Sequence, residues 1–387
     1  MRALIVSHDV MEAVSSKLRG ILRAQVDNQG PATTTFENAE TALFQIQPEM
    51  VVVALSPDPE RGIDMLRKLR GEMTGYLLAA GQTSDSKLIL RALHAGADQY
   101  LDEAELETGL ESVLARLQIK QEATAPPGRL LTLLAASGGS GPSTLAVNIA
   151  VMLAQEHQKC ALLDLKPGIG DLAALLDLKP QFNLADLCQN VTRLDRAMFE
   201  KMLIRHASGV HLLGSPQAFG NARVVTVQGV NQALTMARKL FPYVVVDLED
   251  CFHEEQIVTL RQASTIFLVF RLDFTSLRNA RRILEHLKDL EITRQRVHLV
   301  VNRRGLPYEL PVVEAEQALG EKLVHFVPDD AKTFNRSNNA GIPVVLKNPT
   351  AKVSRSIAEL ARSASRAADD GPGSANGTAH AVALASS

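Results

Sequence analysis

Cysteine is scarce. Cys160, Cys188 and Cys251 are the three in 387 residues, too few and too scattered for a disulfide framework or a zinc site. The 10 histidines are dispersed as well, none with metal-ligand spacing. No apolar run approaches the roughly 20 residues that a bilayer-spanning helix needs. The opening Met1-Arg2-Ala3-Leu4-Ile5-Val6 is cut off by Ser7, His8 and Asp9, too early for a signal-peptide core. An excess of one charge is also missing: 41 Lys and Arg face 43 Asp and Glu, a formal charge of -2. That balance excludes a wholly basic nucleic-acid coat but leaves room for a local basic patch. Together these absences point to a soluble protein of a reduced, cytosolic compartment.

At roughly 150 residues per domain, the length predicts two or three domains. The first block, residues 1–119, alternates aliphatic runs (Leu4-Ile5-Val6, Val51-Val52-Val53, Tyr76-Leu77-Leu78) with helix-period stretches such as Ile63 to Leu69 and Lys87 to His94. Strands spaced by helices predict a doubly wound parallel sheet. Residues 120–128 include Ala123-Thr124-Ala125-Pro126-Pro127-Gly128 and read as a linker, because paired prolines favour an extended spacer. A second α/β block, 129–366, opens with Leu130-Leu131-Thr132-Leu133-Leu134 and repeats the β-then-α pattern at Cys160 to Leu165, Tyr243 to Asp247, Thr265 to Phe270 and Val297 to Asn302. Continuous apolar runs of this kind mark strands covered on both faces. Residues 367–387, rich in Asp, Gly, Ser and Ala without an apolar period, read as a disordered tail.

The most informative stretch is Ser137-Gly138-Gly139-Ser140-Gly141-Pro142-Ser143-Thr144, between a strand and a helix expected over Leu145 to Ala154. Small residues there let backbone N–H groups converge on phosphate oxygens at a positive helix N-terminus. The same glycines would serve a tight turn in any doubly wound sheet. Two further apolar strands end in carboxylates, Ala161-Leu162-Leu163-Asp164 and Val244-Val245-Val246-Asp247, and Val300-Val301-Asn302-Arg303 follows. A strand-terminal Asp can simply cap the next helix, but all of these in one order point to a nucleotide site with Asp247 as its magnesium-associated acid.

On these residues the second block resembles the MinD/ParA group of deviant P-loop ATPases, whose signature is Lys-Gly-Gly-x-Gly-Lys-Ser/Thr. Within that group it is most similar to the CpaE/TadZ family of Flp (tight-adherence) pilus assembly proteins. The similarity is carried by Gly170-Asp171-Leu172-Ala173, by Leu184 to Leu187, by Leu194 to Pro216 with His206-Ala207-Ser208-Gly209, and by Ser276-Leu277-Arg278-Asn279-Ala280. The resemblance implies ATP with magnesium at Gly138, Gly139, Ser140, Gly141, Ser143, Thr144 and Asp247. It places magnesium at Ser143 and Asp247, Asn302 and Arg303 near the adenine, and a water-orienting acid at Asp164. It also implies a homodimer, with pilus secretion and assembly components at the inner membrane as partners. The expected place is cytoplasmic, peripheral at the membrane or cell pole.

The sequence departs from the motif where charge matters. The signature lysine falls on Ser137 and the phosphate-binding lysine on Pro142, which also removes an N–H from the cradle. A lost charge-assisted hydrogen bond costs roughly 1.5–3 kcal/mol, about ten- to a hundredfold in affinity. Lys166 replaces the second acid of the Asp-x-Asp pair found in some relatives. ATP binding is therefore expected to be weakened or absent, and hydrolysis to suffer more, because lysines stabilise charge that develops in the transition state.

The first block resembles the receiver domain of response regulators, helped by Ala95-Gly96-Ala97-Asp98-Gln99-Tyr100-Leu101. The positions of its acidic pair, its acceptor and its lysine hold Ser7 and His8, Ala54, and Glu103. Alanine accepts no phosphoryl group and Glu103 would repel one, so a pseudo-receiver with a docking role is expected. Asp58 reads as turn chemistry. Between Arg261 and Arg304, 10 basic residues face four acidic ones. A DNA-holding surface is one reading, and solvated helix faces are the favoured one, which makes DNA an unlikely partner. The stripe Val353, Ile357, Leu360 and Ala361 suits packing onto a sheet better than a membrane interface, so membrane contact should be indirect. The rivals to a scaffold are an active MinD/ParA-type ATPase switch and a DNA-binding partition protein.

Overall fold

The computed structural model describes residues 2–10, 13–23, 30–73, 75–114, 126–216 and 224–366. The chain divides into two compact units, Met1–Thr124 and Ala125–Ser387. The expected tail and residues 120–125 of the expected linker lie outside the described residues.

In the first unit the order is β1 (Ala3–Ser7), α1 (Ala13–Arg23), β2 (Ala32–Thr35), α2 (Ala39–Ile46), β3 (Met50–Ala54), α3 (Pro59–Glu72), β4 (Tyr76–Gly81), α4 (Ser86–His94), β5 (Gln99–Asp102) and α5 (106–114). Its five strands pair in parallel in the order β2-β1-β3-β4-β5, the doubly wound order of flavodoxin-like and receiver folds. Alternation decides which side each residue covers: Leu4, Val6, Val51 and Val53 pack with Ile63, Leu66 and Leu69 of α3, whereas Ile5, Met50 and Val52 pack with Leu18 and Leu22 of α1 and Leu110 of α5. Each fully buried aliphatic side chain contributes about 1.5–3 kcal/mol.

Asp58 accepts the Arg61 N–H at 3.2 Å as the N-cap of α3, ahead of Pro59 in the first turn. At the carboxyl ends of the strands Ala54 is buried, the Ser7 hydroxyl donates to the Asp9 carbonyl at 2.9 Å, and the Ser56 hydroxyl donates to the Glu103 carboxylate. None of these groups is a phosphoryl acceptor with a cation beside it.

The second unit runs β6 (Arg129–Ala135), α6 (Pro142–His157), β7 (Cys160–Leu165), α7 (Leu172–Leu175), α8 (Leu184–Gln189), α9 (Arg196–Met202), β8 (Ile204–Arg205), β9 (Val210–Leu213), α10 (Val227–Leu240), β10 (Tyr243–Leu248), α11 (Glu254–Gln262), β11 (Thr265–Phe270), α12 (Phe274–Asp289), β12 (Val297–Arg304), α13 (Val312–Leu319), β13 (His325–Pro328), α14 (Ala331–Asn338), α15 (Val344–Lys347) and α16 (Lys352–Arg366). Eight strands pair in the order β13-β12-β11-β6-β10-β7-β9-β8, parallel except for β8 with β9. On one face Leu130, Leu134, Val244, Val246, Ile266 and Leu268 pack against helices that include α10 and α12. On the other Leu131, Leu133, Val245, Phe267 and Val269 pack against α6, α15 and α16. Burial on both faces is why these strands carry continuous apolar runs.

The helix after the glycine loop starts earlier than its apolar period suggested. Gly141, at φ +88°, forms the cap and Pro142 is the first helical residue. The fixed φ of proline suits that position. Along α16, Val353, Ile357, Leu360 and Ala361 are all buried against α6 and the sheet, so the apolar stripe is consumed inside the fold.

Candidate functional site

The second unit brings the ends of β6, β7, β10 and β12 to one edge of the sheet, where β6 lies between β11 and β10. Open α/β sheets bind their ligands in this crevice, beyond the carboxyl ends of the strands. The glycine loop leaves β6 there. A Cβ added at Gly138 or Gly139 would meet open space, whereas at Gly141 it would strike the Asn302 amide at 2.6 Å. The first two glycines therefore leave the backbone open to an incoming anion, and the third admits a strut.

That strut is Asn302, at the end of β12. It is buried, and its Nδ2 donates to the Ser140 carbonyl at 2.6 Å. Ser137 turns inward: its Oγ lies 3.0 Å from the hydroxyls of both Ser140 and Ser276, and Ser276 Oγ also accepts the Arg271 N–H at 3.0 Å. A serine cluster thus ties the loop to the start of α12 where the family signature has a cation. Thr144 faces away from the acids: its carbonyl accepts Asn148 Nδ2 at 2.7 Å and its hydroxyl lies 3.5 Å from the Asn338 amide. Ser143, its neighbour, is the hydroxyl that faces them.

The electrostatic centre is a triad. Lys166, just past β7, places Nζ 2.9 Å from Ser143 Oγ and 2.9 Å from Asp247 Oδ1. Asp247 is fully buried and the Lys166 side chain is 13% exposed. Burial holds the Asp247 carboxyl above the usual carboxylate range, with Asp171 adding to the rise and the Lys166 ammonium and Ser143 hydroxyl offsetting only part of it. The registered pairing of β7 with β10 sets Asp164 opposite Asp247. Asp164, 1% exposed, accepts N–H bonds from Lys166 at 3.2 Å and Leu172 at 3.3 Å. Burial, with the Asp247 charge added, raises its carboxyl to about 7. Gly170 has no side chain because a Cβ there would overlap the Asp164 carboxylate at 2.3 Å.

These contacts give several expected site residues partners within the fold. Asp164, expected to orient water, accepts one backbone N–H on each carboxylate oxygen and so holds the turn from β7 to α7. Arg303, expected near the adenine, pairs with Asp329 at 2.9 Å, and the Asn302 amide is engaged by the loop itself. Lys166, read from the sequence as a lost acid, is the cation of the site. Its signal was present in that same departure, two residues past a strand-terminal aspartate. The basic stretch beyond Arg261 is extensively paired: Arg271 with Asp273 at 3.1 Å, Arg281 with Glu285 at 3.2 Å, Arg294 with Glu321 at 2.8 Å and Arg304 with Glu309.

A magnesium ion held by Ser143 and Asp247 does not fit this arrangement. Magnesium binds oxygen at about 2.0–2.1 Å, and the Lys166 ammonium already lies 2.9 Å from the oxygens of both side chains. The open backbone at Gly138 and Gly139 and the first turn of α6 are the kind of N–H-rich feature that suits a phosphate anion. Among the described residues no group of His, Cys, Asp and Glu forms a metal cluster, and no helix is long and apolar enough to cross a membrane.

Fold and site together define a nucleotide-binding α/β unit of the P-loop type. Residues 131–344, more than half of the chain, match the CobQ/CobB/MinD/ParA nucleotide binding domain, and the chain belongs to that family. The putative septum site-determining protein MinD of Emiliania huxleyi is 26% identical over 226 residues, 56% of this chain and 80% of that protein. The antiactivator FleN of Pseudomonas aeruginosa is 26% identical over 185 residues, 46% of this chain and 64% of FleN. Among solved structures, the ParA family ATPase of Chlorobium tepidum superposes with a TM-score of 0.58 at 24% identity, covering 61% of this chain and 98% of that one. The septum site-determining protein MinD of Pyrococcus horikoshii, complexed with Mg-ADP, gives 0.55 at 16% identity, covering 62% of this chain and 96% of that one.

Proposed function

We propose that this chain is a scaffold of the MinD/ParA type that holds a nucleotide weakly and hydrolyses it little, and that it serves as a homodimer in positioning and assembling a Flp (tight-adherence) pilus machine at a cell pole. The observation that carries the first part is the loop itself. Its shape is kept, with Gly138 and Gly139 open and Gly141 closed on Asn302, while both lysine positions hold uncharged residues, Ser137 and Pro142. Phosphoryl transfer depends almost entirely on positioned charge. A cradle without its loop lysines keeps part of its ground-state grip and loses transition-state stabilisation. Asp164 is tied on each oxygen to one backbone N–H, of Lys166 and of Leu172, which fixes its carboxylate in the turn after β7.

The pilus reading rests on the resemblance to CpaE/TadZ proteins, and the first unit supports it: a receiver-like 2-1-3-4-5 sheet stands ahead of the ATPase-like unit, with no acceptor at Ala54. Docking is the use left to such a unit. Pairing of the arginines after Arg261 favours structural faces over a DNA surface.

Calorimetric titration of the full chain with ATP and magnesium, beside Pro142→Lys, tests the nucleotide part. Binding by the native chain about ten- to a hundredfold weaker than by the variant is expected, with phosphate release at background. Turnover matching that of an intact relative would discard the scaffold reading. In a cell, deletion of this chain should abolish surface pili while pilin is still made; normal piliation would remove the pilus assignment.

A further inference from the structure

We propose that Lys166 is a built-in counterion that takes the place of a divalent metal at the glycine loop, so that the charge of Asp247 is balanced without metal and the site accepts a polyphosphate anion free of magnesium. The proposal rests on the nucleotide reading above for its ligand, but not for its geometry. P-loop proteins place a magnesium ion between the loop hydroxyl and the strand-end aspartate. Here those two groups are Ser143 and Asp247, and the Lys166 ammonium is 2.9 Å from each.

The position of the ammonium is built. The Lys166 N–H is held by Asp164 Oδ1 at 3.2 Å, and its carbonyl accepts the Ser215 hydroxyl at 2.7 Å and the Ile169 N–H at 3.2 Å. Hydrogen bonds at both its N–H and its carbonyl fix the Lys166 backbone, and the side chain reaches inward to Asp247. Coulomb attraction at this separation is several-fold stronger in a buried site than in water.

One ammonium balances the Asp247 carboxylate, so the triad is neutral, and a divalent ion placed between Ser143 and Asp247 would have to share that space with the ammonium. An ammonium has three N–H donors, and Ser143 and Asp247 engage at most two. The remaining donor, on a side chain that keeps 13% of its surface open, is available to a phosphate oxygen. Lys166 thereby brings a charged N–H donor to the loop from the end of a different strand, while Asp247 balances its net charge.

Three measurements on the full chain test this. Equilibrium dialysis with manganese should leave the native chain free of bound metal; retention of one ion per chain would overturn the proposal. The thermal midpoint of the native chain should be the same in EDTA and in excess magnesium, while that of Lys166→Met, which strips the counterion from Asp247, should rise with magnesium. A folded Lys166→Met that ignores magnesium, or a native chain that responds as strongly, would refute it. ATP titrated in EDTA should bind at least as tightly as ATP with magnesium, and binding that requires magnesium would also refute it. Absence of ATP binding under both conditions would sink the nucleotide reading instead, while the dialysis and midpoint results still decide whether Lys166 replaces the metal.

Discussion

Lys166→Met is expected to destabilise the second unit by about 3–5 kcal/mol at neutral pH, the cost of breaking a buried ion pair by removing one partner. The reason lies in the asymmetry of the pair. Asp247 is fully buried, whereas Lys166 keeps a route to water. Removing the lysine strands a carboxylate with no solvent to turn to, while removing the aspartate frees an ammonium that can swing outward. Asp247→Asn should therefore cost less than Lys166→Met, and the double variant should recover most of the loss. Hydrogen exchange at the β7 and β10 amides, which pair in register from Val244 with Ala161 to Leu248 with Leu165, reads this unit separately from the first. A cost below about 1 kcal/mol, the range of exposed pairs, would mean that the pair is solvated in solution. The deficit should also shrink on acidification, because the stranded carboxylate escapes its penalty by taking a proton.

The second large effect is one of pH. Asp164 titrates at about 7 in the folded protein, against roughly 3.9 for an unfolded aspartate. Between those values the native state holds a proton that the unfolded chain has released, so stability falls as pH rises. The slope approaches about 1.4 kcal/mol per pH unit and flattens above the folded value. The contribution is fully present below the unfolded pKa and is lost as pH passes about 7. Histidines act oppositely. Burial lowers His298 to about 4 and also lowers His325, His206 and His211, so their neutral forms favour folding as pH rises. Comparing the native chain with Asp164→Asn cancels the histidines. Urea midpoints from pH 4 to 8 should fall for the native chain relative to the variant. Parallel profiles would show that Asp164 is ionised throughout. A baseline offset is expected as well, since an asparagine cannot accept both the Lys166 and Leu172 N–H groups without turning its amide donor toward one of them.

Both effects arise from contacts that a linear reading could not supply. The strands were legible because burial on both faces demands unbroken aliphatic runs: Cys160 to Leu165 and Thr265 to Phe270 are strands over those same residues. The glycine loop was legible because open backbone requires small residues at short spacing. The packing of α16 was legible from its stripe. Lys166 was visible only as a substitution, because its meaning depends on a side chain crossing from the end of β7 to the end of β10 and to α6, partners 81 and 23 residues distant. Asp164 was legible as a carboxylate at the end of an apolar strand, but its bond to the Leu172 N–H appears only when the turn beyond β7 is seen folding back. Asn302, 162 residues beyond Ser140, could be placed at the sheet edge but not assigned a partner.

The bond from Asn302 to the Ser140 carbonyl carries a kinetic and thermodynamic consequence. A loop already stitched to β12, across β11 from the strand it leaves, has surrendered conformational freedom during folding, so a guest arriving there has less backbone left to freeze. Association should proceed in one step with little change in loop protection. Filling and emptying the crevice would then leave the rest of the molecule uninformed, which suits a fixed landmark better than a timer.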